Sequence, residues 1–254
     1  MKNIRNLFLI ALAIIVASCS KDENSYQISG KLKNGSNQTL YLLEMQDNGF
    51  KPLDTIDLSD NGKFSVKENF GEPSIFILQA ANDYITFCPS GGENIELSGD
   101  YQDLSGTYII KGSKESEKLK ILNEQQVYTR KQLKDMFDQL NMMNIEDADS
   151  VRAIVTEQFQ MLREQQKTFL TKFIEDNQGS LTSLVALYRQ FENRPFFDLN
   201  RDFDMFDKVL KGLKKAYPNN SNTKNLEALV NNFKQLQQNN TQPQNQPLTD
   251  ATKK

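Results

Sequence analysis

The 254-residue chain has no histidine and only two cysteines, Cys19 and Cys88. Without histidine there can be no His-based catalytic triad, no His-metal cluster and no imidazole to move protons near neutral pH. Two cysteines this far apart exclude a CxxC redox pair and a cysteine-rich metal site. If Cys19 is consumed by a modification, Cys88 is also left without a disulfide partner. Charge of neither sign dominates, with 30 basic residues against 33 acidic and a formal net charge of −3. A mildly acidic chain with dispersed charges has no reason to prefer nucleic acid or anionic lipid. Only one long apolar run occurs, Leu7 to Ala17, and it falls short of the roughly 20 residues a membrane-spanning helix needs.

What that run does contain is a secretory signal. Lys2 and Arg5 form its positive start, and Val16, Ala17 and Ser18 shrink toward Cys19, as expected ahead of a cleavage site. The stretch Val16-Ala17-Ser18-Cys19 resembles the lipobox of bacterial lipoproteins, which implies cleavage before Cys19 and acylation of its thiol and new amino group. Such an anchor is effectively permanent, since two acyl chains already suffice. The plainer alternative is an ordinary secretory signal that leaves Cys19 a free thiol. Ser20-Lys21-Asp22-Glu23 resembles the acidic export signal of surface lipoproteins of Bacteroidota, and this implies an outer-membrane lipoprotein facing outward. A simple solvated linker, with the protein facing the periplasm, is the alternative.

Residues 26–112 alternate with period two and are broken by turns every eight to twelve residues, a pattern that predicts about eight short antiparallel strands in a sandwich or barrel. Asn61-Gly62 suits a tight hairpin and predicts that the strands on either side of it pair. From Ser113 the period becomes helical. Two long amphipathic helices, with Leu119, Leu122, Leu133, Met136, Phe137 and Leu140 on the first and Val155, Phe159, Leu162, Phe169 and Phe173 on the second, should fold as an antiparallel hairpin. Gln166 is the one gap in the second stripe. Met142 and Met143 at the bend are read as adaptable packing. Helices starting after Ser180, near Phe203 and at Ser221 complete the module. Fold class is therefore α+β: signal peptide 1–18, acidic linker 19–25, β domain 26–112, helical module 113–236 and a disordered Gln/Asn-rich tail 237–254.

Taken in order, "YQISGKL", "PLDTIDLSDNGKFSV", "GEPSIFIL", "CPSGGENIELSGD" and "IIKGSKESEKL" resemble the β-rich N-terminal domain, of unknown function, of TlpA-like and ResA-like thiol-disulfide lipoproteins of Bacteroidota. The segments "FIEDNQGSLTSLVALYRQF" and "LKKAYPNNSNTKNLEAL" resemble the stretch that leads those proteins into a thioredoxin domain. Here a Gln/Asn-rich segment follows instead. The catalytic cysteines of that family have no counterpart, and no redox role carries over.

Candidate chemistry is sparse. Cys88 follows apolar alternation and has no basic neighbour, so it reads as a buried inert thiol rather than a nucleophile. Asp54, Asp57, Asp60, Glu93 and Asp100 lie in predicted turns; two of them converging in a cleft could hydrolyse a glycan, but turn formation explains them better. "PSGGEN", Pro89 to Asn94, lacks the Lys and following helix of a phosphate cradle and reads as a hairpin turn. Phe196, Phe197, Phe203 and Phe206 around Arg194 and Arg201 read as core, with a partner groove as the sharper alternative. Asp54-Thr55-Ile56 and Asp149-Ser150-Val151 resemble the three-residue O-glycosylation pattern of Bacteroidota envelope proteins, which marks Thr55 and Ser150. The sequence therefore predicts a non-enzymatic envelope lipoprotein that binds a protein or glycan, with no cofactor and no metal. Its alternative is an accessory of a thiol-disulfide system that is not itself redox-active.

Overall fold

A computed structural model describes residues 24–46, 49–69, 71–142, 148–191 and 193–241. The expectations for Cys19, Ser20 to Glu23, Met143 and residues 242–254 lie outside them. Eight strands build the first half: β1 (Ser25–Lys33), β2 (Thr39–Gln46), β3 (Gly49–Asp57), β4 (Lys63–Asn69), β5 (Phe76–Ala80), β6 (Asp83–Phe87), β7 (Asn94–Asp100) and β8 (Ile109–Lys111). A one-turn helix, α1 (Leu104–Thr107), precedes β8. The strands form two four-stranded sheets, ordered β4-β1-β7-β8 and β3-β2-β5-β6. Neither closes into a barrel.

Period-two alternation sends one set of side chains from each sheet into a shared core. Tyr26, Ile28, Ile95 and Leu97 come from the first sheet and Leu40, Leu42, Leu78 and Phe87 from the second, all buried. Tyr26, Phe76 and Phe87 meet as an aromatic triad, with ring centroids 5.3, 5.9 and 5.7 Å apart.

Three details correct the sequence reading. The strands flanking Asn61-Gly62 do not pair, because β3 pairs with β2 and β4 with β1. The turn itself forms, with Ser59 N–H donating to the Lys63 carbonyl at 2.9 Å. Gly62, at φ 74°, then lies so close to β1 that a Cβ there would be 2.2 Å from the Leu32 oxygen. Leu32 N–H bonds the Gly62 carbonyl at 2.9 Å while Leu58 N–H bonds Gln38, also in backbone, at 2.8 Å. The turn is thus a corner that delivers its two strands to different sheets. Secondly, the sandwich is not wholly antiparallel, since β1 and β7 run parallel from Gln27↔Asn94 to Lys33↔Asp100. Thirdly, the start of the expected last strand is α1, where Thr107 Oγ1 donates to the Asp103 carbonyl at 2.5 Å and accepts from Asp100 N–H at 2.9 Å.

The helical half contains α2 (Lys114–Met142), α3 (Ala148–Asp176), α4 (Leu181–Leu187), the two-residue strands β9 (Gln190–Phe191) and β10 (Arg194–Pro195), α5 (Phe203–Ala216) and α6 (Ser221–Thr241). The hairpin of β9 and β10, with Asn193 at φ 59°, has no counterpart in the sequence reading. Helix α6 also runs to Thr241, past the expected boundary at 236. Ser180 caps α4, accepting from Thr182 N–H at 3.2 Å.

The gap in the α3 stripe has a partner: Gln166 is buried and its Oε1 accepts from Thr129 Oγ1 of α2 at 2.9 Å. A buried amide is tolerable when bonded, and here it links the two long helices. The hairpin outruns its core, because no described residue from Arg130 to Met161 is buried. Phe137, expected in the packed stripe, is exposed. A second core gathers Leu119, Leu122, Leu170, Ile174, Leu187, Val209, Leu213 and Val230.

Direct bonds tie the halves together. Ser116 Oγ accepts from Cys88 N–H and Ser113 Oγ donates to the Cys88 carbonyl, each at 3.1 Å. Asn220 Nδ2 donates to the Pro73 carbonyl at 2.8 Å, and Ser221 N–H to Glu72 Oε2 at 3.0 Å.

Candidate ligand groove

Strands β5 and β6 turn Ile77, Tyr84 and Thr86 away from the sandwich core, with Ile77 opposite Thr86 in the ladder. Helix α2 crosses this outer face, where Asn123 Nδ2 donates to Thr86 Oγ1 at 3.0 Å and to the Tyr108 hydroxyl at 3.3 Å. Helix α4 and the start of α6 approach the same face but do not close over it. The result is a groove of about 1270 Å³ walled by both halves of the chain. Ile75, Leu184, Val185 and Leu226 give it apolar surface, and Tyr84 and Tyr188 stand half exposed along it.

Arg189, just past the end of α4, lies at one part of the groove. Its Nη2 donates to Asn123 Oδ1 at 2.6 Å and its Nη1 to Gln126 Oε1. Its Nε is buried without an acceptor. Burial pushes this guanidinium below its ordinary pKa, and the like charge of Arg130 adds to the effect. Both arginines also border a small cavity of about 40 Å³ with Thr129, Gln166 and Phe196, large enough for a water molecule. Burial pushes the Tyr108 phenol up to about 12, against the opposing bond from Asn123. It stays protonated and neutral through the physiological range.

The residues singled out by sequence lie elsewhere and are not brought together. Asp57 accepts from Thr39 Oγ1 at 3.0 Å, Asp54 from Thr55 N–H at 2.7 Å and Asp100 from Asn34 Nδ2 at 2.7 Å. Glu93 accepts from Ser90 N–H at 2.7 Å inside the "PSGGEN" turn, and Asp60 is exposed. Of the five carboxylates expected in turns only Asp60 and Glu93 lie in them; Asp54 and Asp57 lie on β3 and Asp100 ends β7. Among the described residues no three His, Cys, Asp or Glu side chains are grouped to hold a metal ion. Thr55 is exposed on β3 and Ser150 on the first turns of α3. Phe196, Phe197 and Phe206 are core, while Arg194 and Arg201 are exposed. Cys88 is buried and its thiol is pushed up, first by burial and then by Glu115 and Glu93. It is a poor nucleophile by that measure. Arg189, Arg130 and Asn123 were not among the residues singled out by sequence.

Residues 26–119 match a family model described as Domain of unknown function (DUF4369). The match covers the sandwich and the first turns of α2, so one wall of the groove lies in it and the other mostly beyond it. No curated protein matches the chain. Among solved structures, the crystal structure of (S)-allantoin synthase aligns at 6% identity and a TM-score of 0.26, over 36% of this chain and 44% of that one. A likeness this slight bears on neither fold nor chemistry. No described helix is long and apolar enough to cross a membrane.

Proposed function

We propose that this chain is a non-enzymatic binding protein of the cell envelope, anchored in the outer membrane through acyl chains on Cys19 and displayed outward through Ser20 to Glu23. The groove between the sandwich and the helices carries the binding half of this reading. It is large, it combines apolar and aromatic surface with a few converging polar groups, and such hollows are where proteins hold ligands. The lining offers guanidinium, phenol and amide groups that hold and orient a molecule. The anchor rests on the lipobox resemblance of Val16 to Cys19.

Native mass spectrometry tests both halves on protein extracted from its own membranes in mild detergent, beside a Val185→Trp variant that fills the groove. The expected covalent mass begins at an acylated Cys19. The wild type is expected to retain a non-covalent ligand that the variant lacks. An unacylated N-terminus removes the anchor, and identical ligand content in the two proteins removes the groove. Turnover of a hydrolase or oxidoreductase substrate would count against a purely binding role.

A second reading follows from the resemblance of the sandwich and of the helical segments after it to TlpA-like and ResA-like lipoproteins. In it the chain is an accessory of an envelope thioredoxin-like protein that supplies the redox cysteines. A stable complex with a separately encoded envelope thioredoxin supports this reading, and failure to co-purify with one removes it.

A further inference from the structure

Among the described residues the groove lining holds two guanidinium groups and one carboxylate. Arg130 and Arg189 both line it, and among the described residues neither is ion-paired. A guanidinium carries five N–H donors. Arg189 directs two of its nitrogens to neutral amide oxygens, of Asn123 and Gln126, and its Nε to nothing. Neutral acceptors orient the fork without cancelling its charge, and an unpaired, half-buried charge is costly to keep. Among the described residues one carboxylate lines the groove, Asp83, and its bonds go to backbone rather than to either arginine: Oδ1 accepts from Tyr84 N–H at 2.8 Å and Oδ2 from Ser105 N–H at 2.7 Å. Among the described residues, therefore, neither guanidinium has a carboxylate partner.

We propose that Arg130 and Arg189 form the carboxylate-binding end of the groove. Its ligand carries a carboxylate at that end, and its body lies against Ile77, Val185, Tyr84 and Tyr188. The inference rests on the groove being a ligand site and names the ligand class. A planar carboxylate matches the guanidinium fork, and charge-assisted hydrogen bonds are about twice as strong as neutral ones. Two sources share this chemistry. The acyl chain of a fatty acid suits the apolar wall, and the sugar faces of an acidic oligosaccharide suit the two exposed tyrosines.

Calorimetric titration of the mature chain distinguishes them with two matched pairs, decanoate against decanol and trigalacturonate against its methyl ester. One acid is expected to bind at least about tenfold more tightly than its neutral counterpart, and which pair shows this names the source. Arg189→Gln and Arg130→Gln are each expected to erase the difference. Arg130 is exposed, so its variant folds even if Arg189 also supports the α2 contact. Equal binding of acid and neutral partner overturns the carboxylate end while leaving the groove a ligand site. Binding of none of the four probes overturns the inference, and the native-mass comparison then decides the groove separately.

Discussion

Gly212→Val is expected to destabilise the protein by about 3 kcal/mol or more, seen as a fall in Tm of roughly 6–12 °C. Gly212 lies inside α5, where glycine otherwise weakens a helix by about 1 kcal/mol relative to alanine. The reason for it is contact. A Cβ at this position would sit 1.9 Å from the Gln178 carbonyl oxygen and 3.1 Å from the Gly179 nitrogen. Those atoms belong to backbone between α3 and α4, which cannot move as a side chain tip would. Any side chain at 212 must push α5 from the turn and open the core around Leu213 and Val209, both fully buried. Gly212→Ala is expected to show most of the loss, because the first carbon makes the clash. Thermal melts of both variants measure it; an alanine variant as stable as the wild type would show that the close approach is absent.

Phe87→Ala carries the second large effect, about 3–5 kcal/mol from lost burial and the cavity left behind. Phe87 is fully buried at the end of β6 and packs on Tyr26 and Phe76, so its removal strips one corner from the aromatic triad that joins the two sheets. It also immediately precedes Cys88, whose backbone bonds Ser113 and Ser116 at the start of α2. A cavity here loosens the seam between sandwich and helices as well as the sandwich core. Phe87→Leu keeps most of the volume and is expected to cost less than half as much. Urea denaturation of the two variants checks the order, and equal losses would mean that aromatic shape and volume at this site do not matter.

Much of the fold could be read from residue order. Alternation such as Ile95, Leu97 against Glu96, Ser98 marks a strand with one buried face whatever its neighbours are, which is why each expected strand of the sandwich has a counterpart. Pairing was harder. Ser59 to Gly62 has every local property of a hairpin turn, but the destination of its strands is set by Gly62 resting on Leu32, a contact made across 30 residues. The parallel pairing of β1 with β7 is likewise set by closure of the whole sandwich.

The long helices were legible from their stripes, and the one polar interruption, Gln166, proved to bond Thr129 across the hairpin. The groove was not legible. Arg189 has nothing unusual around it in "ALYRQF", and its character comes from Asn123 and Gln126, more than 60 residues away. Turn carboxylates drew attention because acids in clusters are visible in a sequence, whereas a cation left without an acid is visible only in three dimensions.

The most direct test of a ligand in the groove is site-specific photocrosslinking in living cells. A benzophenone side chain is placed at Tyr84 on the groove wall, and at Ile109 on β8 as an equally exposed control. If the groove holds a ligand, position 84 yields an adduct of one defined mass and position 109 does not. The same adducts at both positions, or none at 84, would contradict a binding role for this groove.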